Sequence, residues 1–307
     1  MKTTVDYLAL RSKGQPQEVL EALKPMFGTW GSSLTLQSLD RGALGFLQAA
    51  NVLVGDMPIG RLDFGGESQR GWIRTVLKGQ GCEWVQDWDA VEEVERLPQA
   101  EIRRLDIALT TWHGEIGHQT IVDAHTAGQF NTGGRPPALR QITSSDPRAG
   151  QTCYVGKREK AAKFFRGYEK GFEIIANTRT PGTVFLINDC PIEGIYRCEV
   201  ELKAQGETLP IEWQVIERRD QYFAGAYPFC AEVLPGIEAD ILLRRKERKP
   251  QADLANALAN LRIQFGPTLF TALRAYHGDM TTVWDKVIGD HHCQSLLESG
   301  VLLVDHD

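Results

Sequence analysis

Tyr168 stands between two cations in the run Arg166-Gly167-Tyr168-Glu169-Lys170. In a strand, alternate residues share a face, so this R-x-Y-x-K spacing would set a phenol between a guanidinium and an ammonium. A phenol with an ordinary pKa of about 10 is a poor nucleophile at neutral pH. It needs a neighbouring base or cation to bear the charge that develops as it reacts. Arg and Lys beside it would also stabilise the extra negative charge of a phosphodiester under attack. The surrounding segment, Tyr154 to Gly171, holds six Lys or Arg and two Glu in a chain of formal net charge -6.

Two other segments carry carboxylates at strand spacing. In Arg103–Leu109 (RRLDIAL), Leu105, Ile107 and Leu109 point one way, and Arg104, Asp106 and Ala108 the other. In Tyr196–Lys203 (YRCEVELK), Tyr196, Cys198, Val200 and Leu202 face inward while Arg197, Glu199 and Glu201 face outward. If these strands are neighbours, about 4.8 Å apart, their polar faces converge. Asp106, Glu199 and Glu201 would then offer oxygen ligands to a hard divalent ion, Mg²⁺ or Mn²⁺, which polarises a scissile phosphate. The same spacing also describes an amphipathic sheet with a charged outer face, in which Asp106 pairs with Arg104 and Glu201 with Lys203. The residues alone leave both readings open.

The elements that must position these residues read as a mixture of strands and helices. Val5–Leu10 is strand-like, and Gln15–Phe27 reads as a helix with Pro16 in its first turn and Val19, Leu20, Leu23 and Phe27 on one side. From Thr35 to Gly81, short segments punctuated by Gly and Pro predict a β-meander with an intervening helix near Arg41–Leu53. Asp87 is placed to cap a helix running to about Leu97. Thr126–Gly150 reads as a long loop, and Thr183–Ile187 and Tyr196–Leu202 as strands. Beyond Lys249 and Pro250, leucines at 254, 258 and 261 and patterns around 267–277 and 279–288 predict a helical region. Without strict alternation of strands and helices, the expected fold is α+β on an antiparallel sheet. The expected domains are 1–245 and 250–307, and no internal repeat is apparent.

Hydrophobic content of 42% and charged content of 24% over 307 residues are those of a soluble globular chain. There is no run of about 18 apolar residues. The opening MKTTVDYLAL reaches Asp6 before an apolar core can form, so no export signal is expected and cytoplasmic residence follows. The six cysteines form no CxxC pair and the histidines no HExxH element, which excludes the common zinc patterns. Phosphate-loop, nucleophile-elbow and dinucleotide-binding signatures are also absent. Charge is segregated. Glu83–Asp106 holds eight acidic and three basic residues, whereas basic residues gather at Arg70, Arg74 and Lys78, in Lys157–Lys170 and in Arg244–Lys249. Such segregation fits an anionic partner or a set of solvated faces.

The segments RRLDIAL (Arg103–Leu109), TCYVGKREKAAKFFRGYEKG (Thr152–Gly171) and YRCEVELK (Tyr196–Lys203), with weaker similarity in VDYLAL and LKGQGC, resemble one family. It is the Rep_trans group of phage and plasmid rolling-circle replication initiators, in particular the RstA-like proteins of filamentous phages. The resemblance implies a relaxase-like initiator domain over 1–245 that nicks one strand of origin DNA through a tyrosine. The 5′-phosphate would be held covalently and the free 3′-hydroxyl would prime the host polymerase, with a host helicase as a further partner. Tyr168 is then the nucleophile, flanked by Arg166 and Lys170. Asp106 and Glu199, with Glu201, are the metal ligands. Lys157, Arg158, Lys160, Lys163 and Arg197 would contact double- and single-stranded DNA, and 250–307 would assist DNA binding or homodimerisation. Two departures stand out: Gly167 sits where relatives often carry a larger residue, and GKREKAA lacks the serines of a Gly-Ser-x-x-Ser pattern. The other reading is a non-catalytic, sequence-specific DNA-binding regulator that keeps the initiator fold.

Overall fold

A computed structural model describes residues 2–133, 135–159, 161–178, 186–205, 209–240 and 254–297. The chain divides into two compact units, Met1–Leu242 and Leu243–Asp307. The first begins with β1 (Thr4–Ser12), α1 (Pro16–Leu23), β2 (Leu34–Leu39), β3 (Gln48–Val54), β4 (Met57–Phe64), β5 (Ile73–Lys78) and the short helices α2 (Gly79–Glu83) and α3 (Glu92–Glu95). It continues with β6 (Glu101–Thr111), α4 (His118–Thr126), β7 (Leu139–Ile142), β8 (Thr152–Val155), β9 (Lys163–Glu169) and α5 (Lys170–Thr178). A two-residue pair, β10 (Leu186–Ile187) and β11 (Cys190–Pro191), precedes β12 (Tyr196–Lys203), and α6 (Gln214–Glu217), α7 (Arg219–Ala224) and α8 (Pro228–Val233) follow it. The second unit is helical: α9 (Leu254–Ala275), α10 (Met280–Val287) and α11 (Gln294–Leu297). No helix among the described residues is long and apolar enough to cross a membrane.

Ten strands form one antiparallel sheet in the order β2-β3-β4-β5-β1-β6-β12-β9-β8-β7. This order is a duplication that the sequence does not reveal. The first half runs strand, helix and four strands (β1-α1-β2-β3-β4-β5), and the second repeats it (β6-α4-β7-β8-β9-β12). The two first strands pair at the centre, and each half fans outward in mirrored order. The alternation within strands then divides the sheet into an apolar and a polar face. Leu105, Ile107 and Leu109 of β6 and Cys198 and Val200 of β12 are fully buried, packed in one core with Val19 and Leu23 of α1, Ile121 of α4, Phe223 of α7 and Phe229 of α8.

Several elements differ from the sequence-based expectation. No helix forms at Arg41–Leu53: residues 40–47 are turn and loop, and β3 begins at Gln48. A Cβ at Gly42 would lie 2.4 Å from the Phe46 carbonyl oxygen, so the chain folds back there, and β3 pairs on both sides with β2 and β4. Pairing on two edges overrides the helical preference of Ala and Leu. The expected long loop at Thr126–Gly150 contains β7, which extends the sheet to its far edge. The expected helix from Asp87 to Leu97 is broken into single turns, with Asp87 Oδ1 accepting from the Asp89 amide. Of the expected strand Thr183–Ile187, residues 183–185 lie outside the described residues, as does Arg244–Lys249.

Candidate active site

The three strands expected to converge are adjacent, in the order β6-β12-β9. Their register decides which groups meet. Glu199 of β12 lies opposite Arg166 of β9 and Ala108 of β6; Arg197 lies opposite Tyr168; Glu201 lies opposite Asp106. All belong to the polar face, yet the acids are buried: Asp106 is 4% exposed, Glu199 3% and Glu201 4%.

Tyr168 Oη donates to Glu199 Oε1 at 2.7 Å. The other carboxylate oxygen accepts from Arg166 Nε at 2.9 Å and from its Nη2. Arg166 Cζ also lies 4.8 Å from the centroid of the Tyr168 ring, and Lys170 Nζ 5.7 Å from it. Lys170 is not a strand residue: β9 ends at Glu169 and Lys170 opens α5, where it pairs with Glu173 at 3.2 Å. Burial pushes the Tyr168 phenol well above its ordinary pKa, the Glu199 carboxylate adds to the rise, and Arg197 opposes it. Burial likewise raises the Glu199 carboxyl, against the pull of Arg166. A carboxylate raised in this way is a better proton acceptor than a free one. Tyr168 lines a cleft of about 340 Å³ together with Arg148, Thr152, Tyr154, Arg166 and Phe172.

Asp106 is held on its own strand by Arg104, whose Nε lies 2.8 Å from Oδ1. Arg104 Nη2 also reaches Glu201 Oε2 at 2.8 Å. Arg158 Nε donates to the same Glu201 oxygen at 2.9 Å, and Lys203 Nζ lies 2.7 Å from Oε1 but off the line of a directed hydrogen bond. Burial drives the Asp106 carboxyl up to about 6, with Arg104 pulling it back. Burial also pushes Glu201 upward, but Arg158, Lys203 and Arg104 outweigh it and hold its carboxyl below the usual value. These pairings are the ones expected of a charged sheet face, now buried.

The expected metal ligands do not fit a metal in this arrangement. A hard cation takes oxygen donors converging on one point. Here a guanidinium already bridges Asp106 and Glu201, and Glu199 is turned toward Arg166 and Tyr168. Among the described residues no group of three or more His, Cys, Asp or Glu side chains could hold an ion.

The expected DNA contacts separate. Lys157 is exposed and Arg158 nearly half exposed beside the polar face. Lys160 lies outside the described residues. Lys163 belongs to the apolar face: its ammonium donates to the Ala226 carbonyl and sits 4.5 Å from the Tyr227 ring, and burial lowers its pKa. Arg197 is largely buried, bonded to Asp6 Oδ1 at 2.6 Å and Thr110 Oγ1 at 2.9 Å, which makes it a neighbour of Tyr168 rather than a rim residue. Gly167 has a packing reason, since a Cβ there would lie 3.0 Å from Tyr196 Oη. Sequence reasoning missed Arg104 as the bridge between two acids, although its i, i+2 spacing to Asp106 was visible. It also missed Tyr154 and Arg140, whose register with β9 only the folded hairpin supplies.

Residues 100–251 match the Rep_trans family model, replication initiation factor, which covers all three strands of the site. The fold is that of a rolling-circle initiator. The chain is similar to the structure of a rolling circle replication initiator protein from Geobacillus stearothermophilus, with 19% identity and a TM-score of 0.51, over 73% of this chain and 83% of that one. No curated protein matches.

Proposed function

We propose that this protein starts rolling-circle replication by nicking one DNA strand through Tyr168. The observation that carries the reading is the Tyr168–Glu199 hydrogen bond of 2.7 Å, with Arg166 on the same carboxylate and Arg197 in register with Tyr168, behind a cleft that Tyr168 and Arg166 line, within the region that matches the replication initiation factor family.

The phenol is firmly protonated at rest, so its proton must leave as the oxygen attacks phosphorus. Glu199 Oε1 is in place to receive it. The new bond joins Tyr168 Oη to phosphorus, the bond from phosphorus to the 3′-oxygen breaks, and that oxygen takes a proton from solvent. The product is a 5′-phosphotyrosine and a free 3′-hydroxyl; the reverse sequence rejoins the strand. Arg166, over the Tyr168 ring, and Arg197, in register with Tyr168, offset negative charge as it forms. No step is assigned to Mg²⁺ or Mn²⁺, because an ion at Asp106 and Glu201 would have to displace Arg104. A filamentous-phage replicon, with its origin as substrate, fits the resemblance of the three strand segments.

Tyr168→Phe tests the reading on a supercoiled circle that carries the replicon's origin, with and without Mg²⁺ or Mn²⁺. We expect the wild type to leave a protein–DNA adduct that withstands SDS and the variant to leave none. Nicking that survives in the variant would remove Tyr168 from the reaction. Origin binding by the wild type with no adduct would instead support the DNA-binding regulator.

A further inference from the structure

A second cleft, of about 760 Å³, lies on the same polar face and is lined by Arg140, Tyr154, Lys157, Arg158, Glu159 and Phe164 among others. Its wall is aromatic. Tyr154 and Phe164 are stacked, with centroids 5.7 Å apart and planes inclined by 27°. Guanidinium groups stand at both rings: Arg140 Cζ lies 6.0 Å from the Tyr154 centroid and Arg158 Cζ 5.8 Å from that of Phe164. Phe164 is 4% exposed and serves as backing, whereas Tyr154 is only half-buried. The lining carries three cations, Arg140, Lys157 and Arg158, against one carboxylate, Glu159, and with Arg158 paired to Glu201 the cleft is still basic as well as aromatic.

Tyr154 also lines the smaller cleft that contains Tyr168. On β8 it lies opposite Arg166, one alternation along from the pair Thr152–Tyr168. The two clefts therefore share Tyr154 as a partition, with the phenol of Tyr168 on one side and the stacked, basic pocket on the other.

Resting on the proposed reading of Tyr168, we propose that this second cleft holds an unpaired nucleobase of single-stranded DNA beside the phosphate presented to Tyr168. A base inside a duplex has both faces covered by its neighbours, so a stacking platform selects bases that are out of the helix. The cations beside the rings suit the adjoining backbone phosphates. The cleft therefore selects strands that are already melted or extruded, and it adds a stacking contact on the side of the nucleophile away from α5.

The test measures binding by the full chain, at fixed salt, to a fluorescently labelled single-stranded oligonucleotide and to the same strand bearing consecutive abasic sites. Stacking is worth enough that Tyr154→Ala should weaken binding to the intact strand about 5- to 100-fold. Tyr154→Phe and Tyr154→Trp, which keep a ring, should bind within about threefold of wild type. The abasic strand should bind wild type as weakly as the intact strand binds the alanine variant, and Tyr154→Ala should not weaken it further. The proposal is overturned if Tyr154→Ala binds the intact strand within about twofold of wild type while melting at the same temperature. It is overturned equally if the abasic strand binds wild type as well as the intact one. Binding does not depend on nicking, so loss of the Tyr168 reading leaves this result standing, and the reverse also holds.

Discussion

Glu199→Gln separates two things the carboxylate does to Tyr168. As a neighbouring anion it resists ionisation of the phenol, second only to burial in raising that pKa. As a hydrogen-bond acceptor at 2.7 Å, it is the group that can take the phenolic proton. Glutamine keeps the shape and an amide oxygen but has neither the charge nor the basicity. If the anion were merely a burden, the variant would ionise more easily and react faster. If Glu199 is the proton acceptor, loss of general-base catalysis should slow adduct formation by about 10² to 10⁴, roughly 3–5 kcal/mol of barrier. Arg166 also loses its anion; its side chain is 32% exposed, so solvent screens part of the loss, and the stability cost should be about 2–3 kcal/mol. The assay is single-turnover formation of the covalent protein–DNA adduct from pH 5 to 9, run beside a spectrophotometric titration of tyrosine. Wild type should gain rate as Glu199 deprotonates and then level off; the variant should lose that step, while its buried phenol titrates at lower pH. A variant that forms adduct within tenfold of wild type, with its phenol midpoint lowered as expected, would refute Glu199 as the base.

Four other outcomes follow, two from the polar face of the sheet and two from its apolar face. Asp106 titrates near 6 in the folded chain against 3.8 ordinarily, so the folded state holds the proton more tightly. Its contribution is thus present below about pH 4 and lost as pH rises through 6, by up to about 3 kcal/mol. Urea midpoints measured against pH should show that decline in wild type and a flatter profile in Asp106→Asn; an unchanged profile would remove Asp106 as its source. Arg104→Ala removes the guanidinium between Asp106 and Glu201, freeing Asp106 while Glu201 keeps Arg158 and Lys203, so Mn²⁺ binding followed by electron paramagnetic resonance should tighten about tenfold over wild type. Equal binding would show that the guanidinium does not compete with metal. Tyr196 Oη is buried without a hydrogen-bond partner, so Tyr196→Phe should be neutral or stabilising by about 1–2 kcal/mol in urea unfolding. Gly167→Ala should cost about 1–3 kcal/mol, and less in the Tyr196→Phe background, because the nearest clash is with that hydroxyl.

Which residues of β6, β12 and β9 share the polar face was legible because period-two alternation fixes the face each residue occupies, whereas the adjacency of the three strands was a condition that only the folded sheet meets. The same parity held a warning about Lys163: three positions before Arg166, it had to share the apolar face with Phe165. Register was not legible. Whether Glu199 meets Arg166 or Glu201 does depends on where each hairpin turns, and loop length in the sequence does not give that. The fate of Lys170 turned on whether β9 stops at Glu169, and the chain leaves the strand there to begin α5. The duplicated layout left no trace in residue identities because it is a repeat of topology and alternation, which many residues satisfy.

Under the proposed function, register also explains how a chain of net charge -6 would present a face to DNA. On the polar face the buried acids are outnumbered by the cations they hold. Asp63, with its side chain fully buried, binds Arg61 at 2.8 Å and Arg74 at 2.7 Å; Glu201 gathers Arg104, Arg158 and Lys203; Glu199 holds Arg166. A buried carboxylate contributes little to the outside potential once paired, but it fixes long arginine side chains that would otherwise lose conformational freedom on binding a phosphate backbone. Meanwhile much of the acidic excess lies in Glu83–Asp106, where Asp89, Glu92 and Glu95 line a separate groove with Glu212 and Glu217. Total charge thus measures the wrong quantity for this fold. What counts for an anionic ligand is the excess of pre-positioned guanidinium groups on one sheet face, and the buried acids are what pre-position them.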